Sequence, residues 1–235
     1  MKKIVLLGFI LLSLTHCKHV QVNIPVDFVE TKIPVAFSED WAILNHSPND
    51  FRVNNVNNEL TIEKIKARNN TELQLDQGTL IGESKGEWNG KLIFKSNTKD
   101  NKEIEIKKGN IKFLFKFKGK IYFIEALSHL TYTGGAIYEL KQDGNQFTYE
   151  KRLEFKDSPE AFTVHDDVFL IATHQNFYVV EDFKSKLIFK NTFWSSLYPN
   201  SLAVFDNEHV IMGIRGGIVK LNLIDKDMTF YKYTE

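Results

Sequence analysis

The sequence predicts an all-β protein, and three observations carry that expectation. Apolar residues alternate with period two from about Lys32 onward, turn-forming residues punctuate the chain at short intervals, and a strand pattern recurs every 41 to 45 residues. Its 235 residues are enough for one domain, or two small ones, with a core that needs no staples.

The alternation is clearest in the middle and last thirds. Ile104 and Ile106 lie in Lys102–Lys107; Phe113, Phe115 and Phe117 interleave with Lys112, Leu114, Lys116 and Lys118. This puts the phenylalanines on one strand face and Lys112, Lys116 and Lys118 on the other, a solvated face or a weak anionic docking patch. Asp143-Gly144-Asn145, Gly134-Gly135, Gly216-Gly217 and Lys108-Gly109-Asn110 are turn chemistry. No stretch offers a convincing amphipathic helix; Glu59 to Arg68 reads as strand as readily as helix.

The segment from Asp167 to Val180 aligns without gaps with Glu208 to Leu221, at an offset of 41. Ile137, Tyr178 and Val219 become equivalent, and Phe51 and Leu92 are again 41 apart. The step from Leu92 to Ile137 is 45, which a longer loop at Leu127 to Thr133 absorbs. In the fourth unit strands are expected near Ala161–Val164, Val168–Thr173, Asn176–Glu181 and Lys186–Thr192. In the fifth they fall near Leu202–Phe205, His209–Ile214, Gly217–Asn222 and Met228–Tyr233.

Four strands every 40 to 45 residues is the period of a β-propeller blade, and residues 31–235 accommodate five units of 41. The expected architecture is therefore a five-bladed β-propeller; a β-sandwich or a stack of hairpins is the alternative. The resemblance is to propeller architecture and to no particular propeller family. Val20 to Val29 alternates weakly and is a candidate clasp strand against the last blade, or else a tether.

The front of the chain has a different character. Lys2 and Lys3 precede an apolar-biased run from Ile4 to Leu14, too short to span a bilayer as a helix, and it ends at Leu14-Thr15-His16-Cys17. Cys17 is the only cysteine, which excludes a disulfide scaffold. The arrangement resembles the lipobox of bacterial lipoproteins, with Leu14 three residues before the cysteine; His16 stands where that pattern usually has Gly, Ala or Ser. The resemblance implies a signal peptide over 1–16, lipidation of Cys17, a tether or clasp over 17–30 and a folded domain over 31–235. It implies export across the inner membrane and a lipid anchor in the bacterial cell envelope. The alternative is an ordinary secretory signal cut near Ser13-Leu14-Thr15.

The 30 basic and 30 acidic side chains balance; removal of Lys2 and Lys3 leaves 28 against 30, a net charge of −2. Neither value gives a reason to expect nucleic acid as partner. The sequence has no Gly-x-Ser-x-Gly elbow, His-Glu-x-x-His, phosphate-binding glycine loop or dinucleotide fingerprint, and no cofactor is expected.

In a four-stranded blade the second-to-third loop and the link to the next blade open on one face. Here those segments are near His46–Asp50, Glu83–Asn89, Glu125–Gly135, Thr173–Asn176 and Ile214–Gly217, with links at Ser158–Glu160 and Trp194–Asn200. The expected binding face gathers Trp88, His129, Tyr132, His174, Trp194, Tyr198 and Arg215, aromatic and cationic types suited to recognition or sugar stacking. The alternative places Trp88 and Trp194 over the core between blades. The expected function is non-enzymatic binding or scaffolding of a protein or glycan partner. A glycan-active enzyme using two of Glu87, Glu125 and Glu160 is the second reading, and a periplasmic inhibitor or immunity-type protein is the third.

Overall fold

A computed structural model of the chain describes residues 21–234, apart from 66–69, 87–88, 99–101 and 130–131. Cys17 and the whole of the proposed leader lie outside the described residues. Strands dominate, as the alternation requires, and they form five antiparallel sheets, none of them closed on itself.

β1 (Phe28–Thr31) is followed by the short helix α1 (Glu39–Asn45) and the hairpin β2 (Asp50–Val56) and β3 (Glu59–Ile65). Four meanders follow. The first comprises β4 (Thr71–Leu75), β5 (Gly78–Glu83), β6 (Lys91–Ser96) and β7 (Glu103–Lys108). The second comprises β8 (Ile111–Phe117), β9 (Lys120–His129), β10 (Tyr132–Asp143) and β11 (Gln146–Phe155). The third runs through β12 (Pro159–His165), β13 (Val168–Thr173), β14 (Phe177–Glu181) and β15 (Lys184–Phe189). The fourth runs through β16 (Ser201–Asp206), β17 (His209–Ile214), β18 (Gly217–Asn222) and β19 (Asp227–Tyr233). The eight strands of the last two meanders match the expected segments closely.

Period two explains how one sheet serves two cores. On β13, Phe169 and Ile171 face one hydrophobic cluster while Leu170 and Ala172 face another. Among the described residues the buried apolar side chains form four such clusters, each between two sheets. One joins β4–β7 to β8–β11 through Leu80, Leu92, Phe94 and Phe123; the next joins β8–β11 to β12–β15 through Tyr122, Ile137, Phe169 and Ile171. A third joins β12–β15 to β16–β19, and the last seats Phe51 and Val53 of β2 against Ala203, Ile211 and Ile218. Outer strands are exposed and charged, as with Lys184 and Lys186 on β15 and Glu150, Lys151 and Arg152 on β11, which discourages edge pairing.

Three expectations need correction. The first unit is not a four-stranded sheet: among the described residues it is the two-stranded hairpin β2–β3. Phe51 and Leu92 therefore are not equivalent, since Phe51 is on the first strand of a hairpin and Leu92 on the third strand of a meander. The preceding chain forms α1 instead of a strand. Ser38 caps it by accepting from the Trp41 N–H at 3.3 Å, Glu39 and Asp40 favour its first turn, and Trp41 and Leu44 are buried. The longer loop expected at Leu127 to Thr133 is largely an extension of the β9–β10 hairpin, paired as far as His129 opposite Tyr132. The clasp is shorter and later than Val20–Val29: Phe28 to Thr31 pair with Tyr233 to Phe230 on β19.

Candidate functional site

The loops that the repeat places together surround a cavity of about 590 Å³. Each wall follows from local chemistry. Arg215 and Gly216 form the tight β17–β18 turn, with Gly216 at φ 78°. The Arg215 backbone N–H donates to the Leu197 carbonyl at 2.7 Å. Its guanidinium donates to Asp50 Oδ1 at 3.1 Å and to the Asn45 carbonyl at 3.1 Å, and lies 4.4 Å from the centre of the Tyr198 ring.

The link from 190 to 200 sorts its residues by direction. Phe193, Trp194 and Leu197 enter the core, while Ser196 (φ 60°) and Tyr198 (φ 53°) adopt the left-handed backbone and line the cavity. Ser196 Oγ is 3.3 Å from His174 Nε2. Opposite them, Lys112 donates to Glu160 Oε2 at 3.2 Å, and Ser158 Oγ donates to Glu160 Oε1 at 3.0 Å.

Beneath this wall lies Asp157, 2 % exposed and richly bonded. It accepts from Thr133 Oγ1 (3.2 Å), the Ser158 N–H (3.1 Å), the Gln175 N–H (3.0 Å), Asn176 Nδ2 (2.9 Å) and the Thr173 hydroxyl. These bonds tie the β11–β12 link to the β13–β14 turn, and so hold His174 and Glu160 in place.

The cavity has two neighbours. It shares Asn110 and Leu127 with a hollow of about 390 Å³ that also touches Tyr132, Glu125, Tyr138 and Gly109. Here Lys107 Nζ donates to Glu125 Oε1 at 2.7 Å, and a Cβ at Gly109 (φ 140°) would collide with the same oxygen. Burial, with the adjacent Glu125 carboxylate, pushes the Tyr138 hydroxyl up to about 12. The cavity shares Ser84, Lys112 and Glu160 with a smaller hollow of about 150 Å³, lined also by Arg52, Ile65, Ile111, Phe113 and Asn200.

Of the expected binding residues, His129, His174, Tyr198 and Arg215 line the main cavity together. Tyr132, well exposed, lines the neighbouring hollow. Trp194 does not belong to any open face: it is fully buried and its indole Nε1 donates to the Thr173 carbonyl at 3.3 Å. The wound link turns it inward, as the core-capping alternative has it. Trp88 and Glu87 lie outside the described residues.

Asp50, Lys112 and Glu160 line the cavity too: Asp50 and Glu160 stand at the ends of the expected segments His46–Asp50 and Ser158–Glu160 without being named as binding residues, and Lys112 lies on a strand that the loop inventory did not include. The signal for Lys112 was its place on a basic strand face; a bulge between Ile111 and Phe113 brings it to Glu160. Asp157 and Asn110 had none, because their partners are distant in sequence. Chemically the arrangement suits recognition: its cations and carboxylates pair with each other, and polar hydroxyls and imidazoles fill the intervals. Among the described residues, no group of three or more His, Cys, Asp or Glu side chains is placed to hold a metal. No helix of the described residues is long and apolar enough to cross a membrane.

No protein family model matches the chain, and no curated protein matches it. Among solved structures it is similar to the computationally designed Ika8 protein, at 10 % identity over 86 % of this chain and 73 % of that one, with a TM-score of 0.36. A likeness of that degree carries no argument about fold or function.

Proposed function

We propose that this chain is a lipid-anchored binding module of the bacterial cell envelope, a five-unit propeller that receives a polar ligand or partner surface in the 590 Å³ cavity. The single observation that carries the binding role is the convergence of His129, His174, Tyr198 and Arg215 on that cavity, from three separate loops and a strand end. Support for the ring comes from the series of packed sheets: β4 and β5 against β8, β12 against β8–β10, β12 against β16, and β16 and β17 against β2. Residues from all five sheets or their flanking loops line the 150 Å³ hollow, as residues around a central axis do. The hairpin β2–β3 is then the reduced unit.

The anchor is read from Leu14 to Cys17 alone. Mass spectrometry of the mature N-terminus tests it: an acylated Cys17 is expected, and an unmodified N-terminus near Thr15 overturns it. For the cavity, the test is thermal shift of the full chain against peptidoglycan fragments and envelope polysaccharides, beside the triple variant His174→Ala, Tyr198→Ala, Arg215→Ala. At least one compound is expected to stabilise the native chain and not the variant. Equal response by both proteins overturns the cavity as the site. The hydrolase alternative needs two carboxylates about 5–10 Å apart, available to act on substrate. Glu125 and Glu160 instead pair with Lys107 and Lys112 and line different cavities, which favours binding over hydrolysis.

A further inference from the structure

The small hollow beside the main cavity differs from its surroundings in its polar balance. Lys112 is matched by Glu160, and Arg215 by Asp50. Arg52 is not matched. It sits on β2 half-buried, and its side chain has no ion pair or hydrogen bond among the described residues. Its cross-strand neighbour Glu63 accepts from Asn54 Nδ2 at 3.3 Å instead. A half-buried guanidinium that no carboxylate pairs keeps its five N–H donors available to water or to a ligand.

A second donor stands beside it. Asn200 lines the same hollow, and its amide Nδ2 is buried without a hydrogen-bond partner among the described residues. The amide orientation is fixed by a relay. The Val53 N–H donates to Ser201 Oγ at 2.8 Å, so the Ser201 hydroxyl hydrogen goes to Asn200 Oδ1, also at 2.8 Å. The oxygen is therefore occupied and the N–H₂ is left over. Ser84 adds a hydroxyl, and Ile65, Ile111 and Phe113 supply apolar wall, which weakens dielectric screening.

An unmatched cation, an orphan amide donor and a hydroxyl line one small hollow, the donor set that a small oxyanion requires. We infer that the floor of the cavity binds the acidic group of the ligand, a carboxylate or a phosphoryl group, against Arg52 and Asn200. The hollow's volume of about 150 Å³ gives room for such a group. The body of the ligand then occupies the main cavity, which adjoins the hollow and shares Ser84, Lys112 and Glu160 with it. Glu160 does not repel the anion strongly, since Lys112 and Ser158 already hold its two oxygens. The inference rests on the cavity's role as a binding site, and it narrows the ligand to an acidic one.

Calorimetric titration of the full chain in detergent tests it, with inorganic phosphate, glucuronate and uncharged glucose as probes. A saturable heat is expected for phosphate or glucuronate and none for glucose. The preferred anion tells phosphoryl from carboxylate. Arg52→Gln is expected to weaken the bound anion by about ten-fold or more, the loss of one charge-assisted contact. Arg52→Lys retains part of the affinity, since it keeps charge but not the fork. Asn200→Ala is a second, smaller lesion with the same readout, and thermal melts establish that each variant is folded. The inference is overturned if neither anion gives saturable heat, or if folded Arg52→Gln binds it as the native chain does. The rim variant of His174, Tyr198 and Arg215 separates the two readings. Loss of envelope-ligand response there, with Arg52→Gln binding anions normally, rejects the oxyanion floor and keeps the cavity. Anion binding abolished only by Arg52→Gln, with an unchanged rim response, does the reverse.

Discussion

Two polar regions lie within the same end of the molecule and are built on opposite terms. Around Asp157, five donors converge on one buried carboxylate, and every group finds its partner. Around Arg52 and Asn200, a guanidinium and an amide N–H₂ stand in a hollow with no acceptor among the described residues. A satisfied network fixes a backbone, whereas an unsatisfied one lowers stability unless something else completes it. The contrast separates the part of the cavity that holds shape from the part that is open to a ligand.

Substitutions should divide along the same line. Trp194→Ala removes a fully buried indole from beside the Asp157 network, and a loss of about 3–5 kcal/mol in urea unfolding is expected. Asp157→Ala strands several buried donors; about 3 kcal/mol is expected, and a loss below ~1 kcal/mol would break the comparison. Glu139 offers an intermediate case. It is 3 % exposed and paired with Lys120 at 2.9 Å and Arg152 at 2.8 Å. Both partners reach toward solvent, so Glu139→Gln is expected to lose only about 1 kcal/mol. Arg52→Leu has no partner to lose, and its stability is expected to stay within about 0.5 kcal/mol of the native chain or rise.

Acid unfolding sharpens the middle term. The hydrogen bond from Lys120 holds the Glu139 carboxyl below its ordinary value, against the opposing effect of burial, with the Lys120 and Arg152 charges adding to it. A depressed carboxylate stabilises the fold above its unfolded pKa and loses that contribution as pH falls through the lower folded value. The native chain is therefore expected to lose stability relative to Glu139→Gln as pH drops below the usual glutamate range of about 4.3. Asp206 behaves alike: burial would raise it, but hydrogen bonds from His209 and the Glu208 N–H outweigh that and hold it low.

How much of this was legible in the sequence depended on the kind of signal. The strands of the last two meanders were readable because Phe169 to Ala172 and Val210 to Gly213 serve two cores by simple alternation, between turns rich in Gly, Asn and Asp. The first unit misled because Phe51 matches Leu92 in spacing although its strand has a different neighbourhood. Helix α1 escaped because seven residues give too few turns for a helical period to show, and its burial rests on Trp41 and Leu44 alone. The cavity face was half readable. Loop position found His174 and Arg215, but Trp194 and Tyr198 share one link, and only the backbone decides which turns inward. Asp157, Arg52 and Asn200 were invisible, since whether a polar group is satisfied depends on donors far away in the chain.

The pairing of Phe28–Thr31 with Phe230–Tyr233 links segments about 200 residues apart. Phe28 also packs its ring 5.0 Å from Phe51 and 5.4 Å from Tyr233, and Thr234 donates its N–H to the Asp27 carbonyl. A contact of such sequence separation is entropically late to form, because the ends of a very long loop must meet before it yields anything. Synthesis delivers β19 after every other described strand, so the outermost pair of the final sheet can register only once those strands have been made. β1 and β19 also share protection from proteases: trimming β19 would release β1.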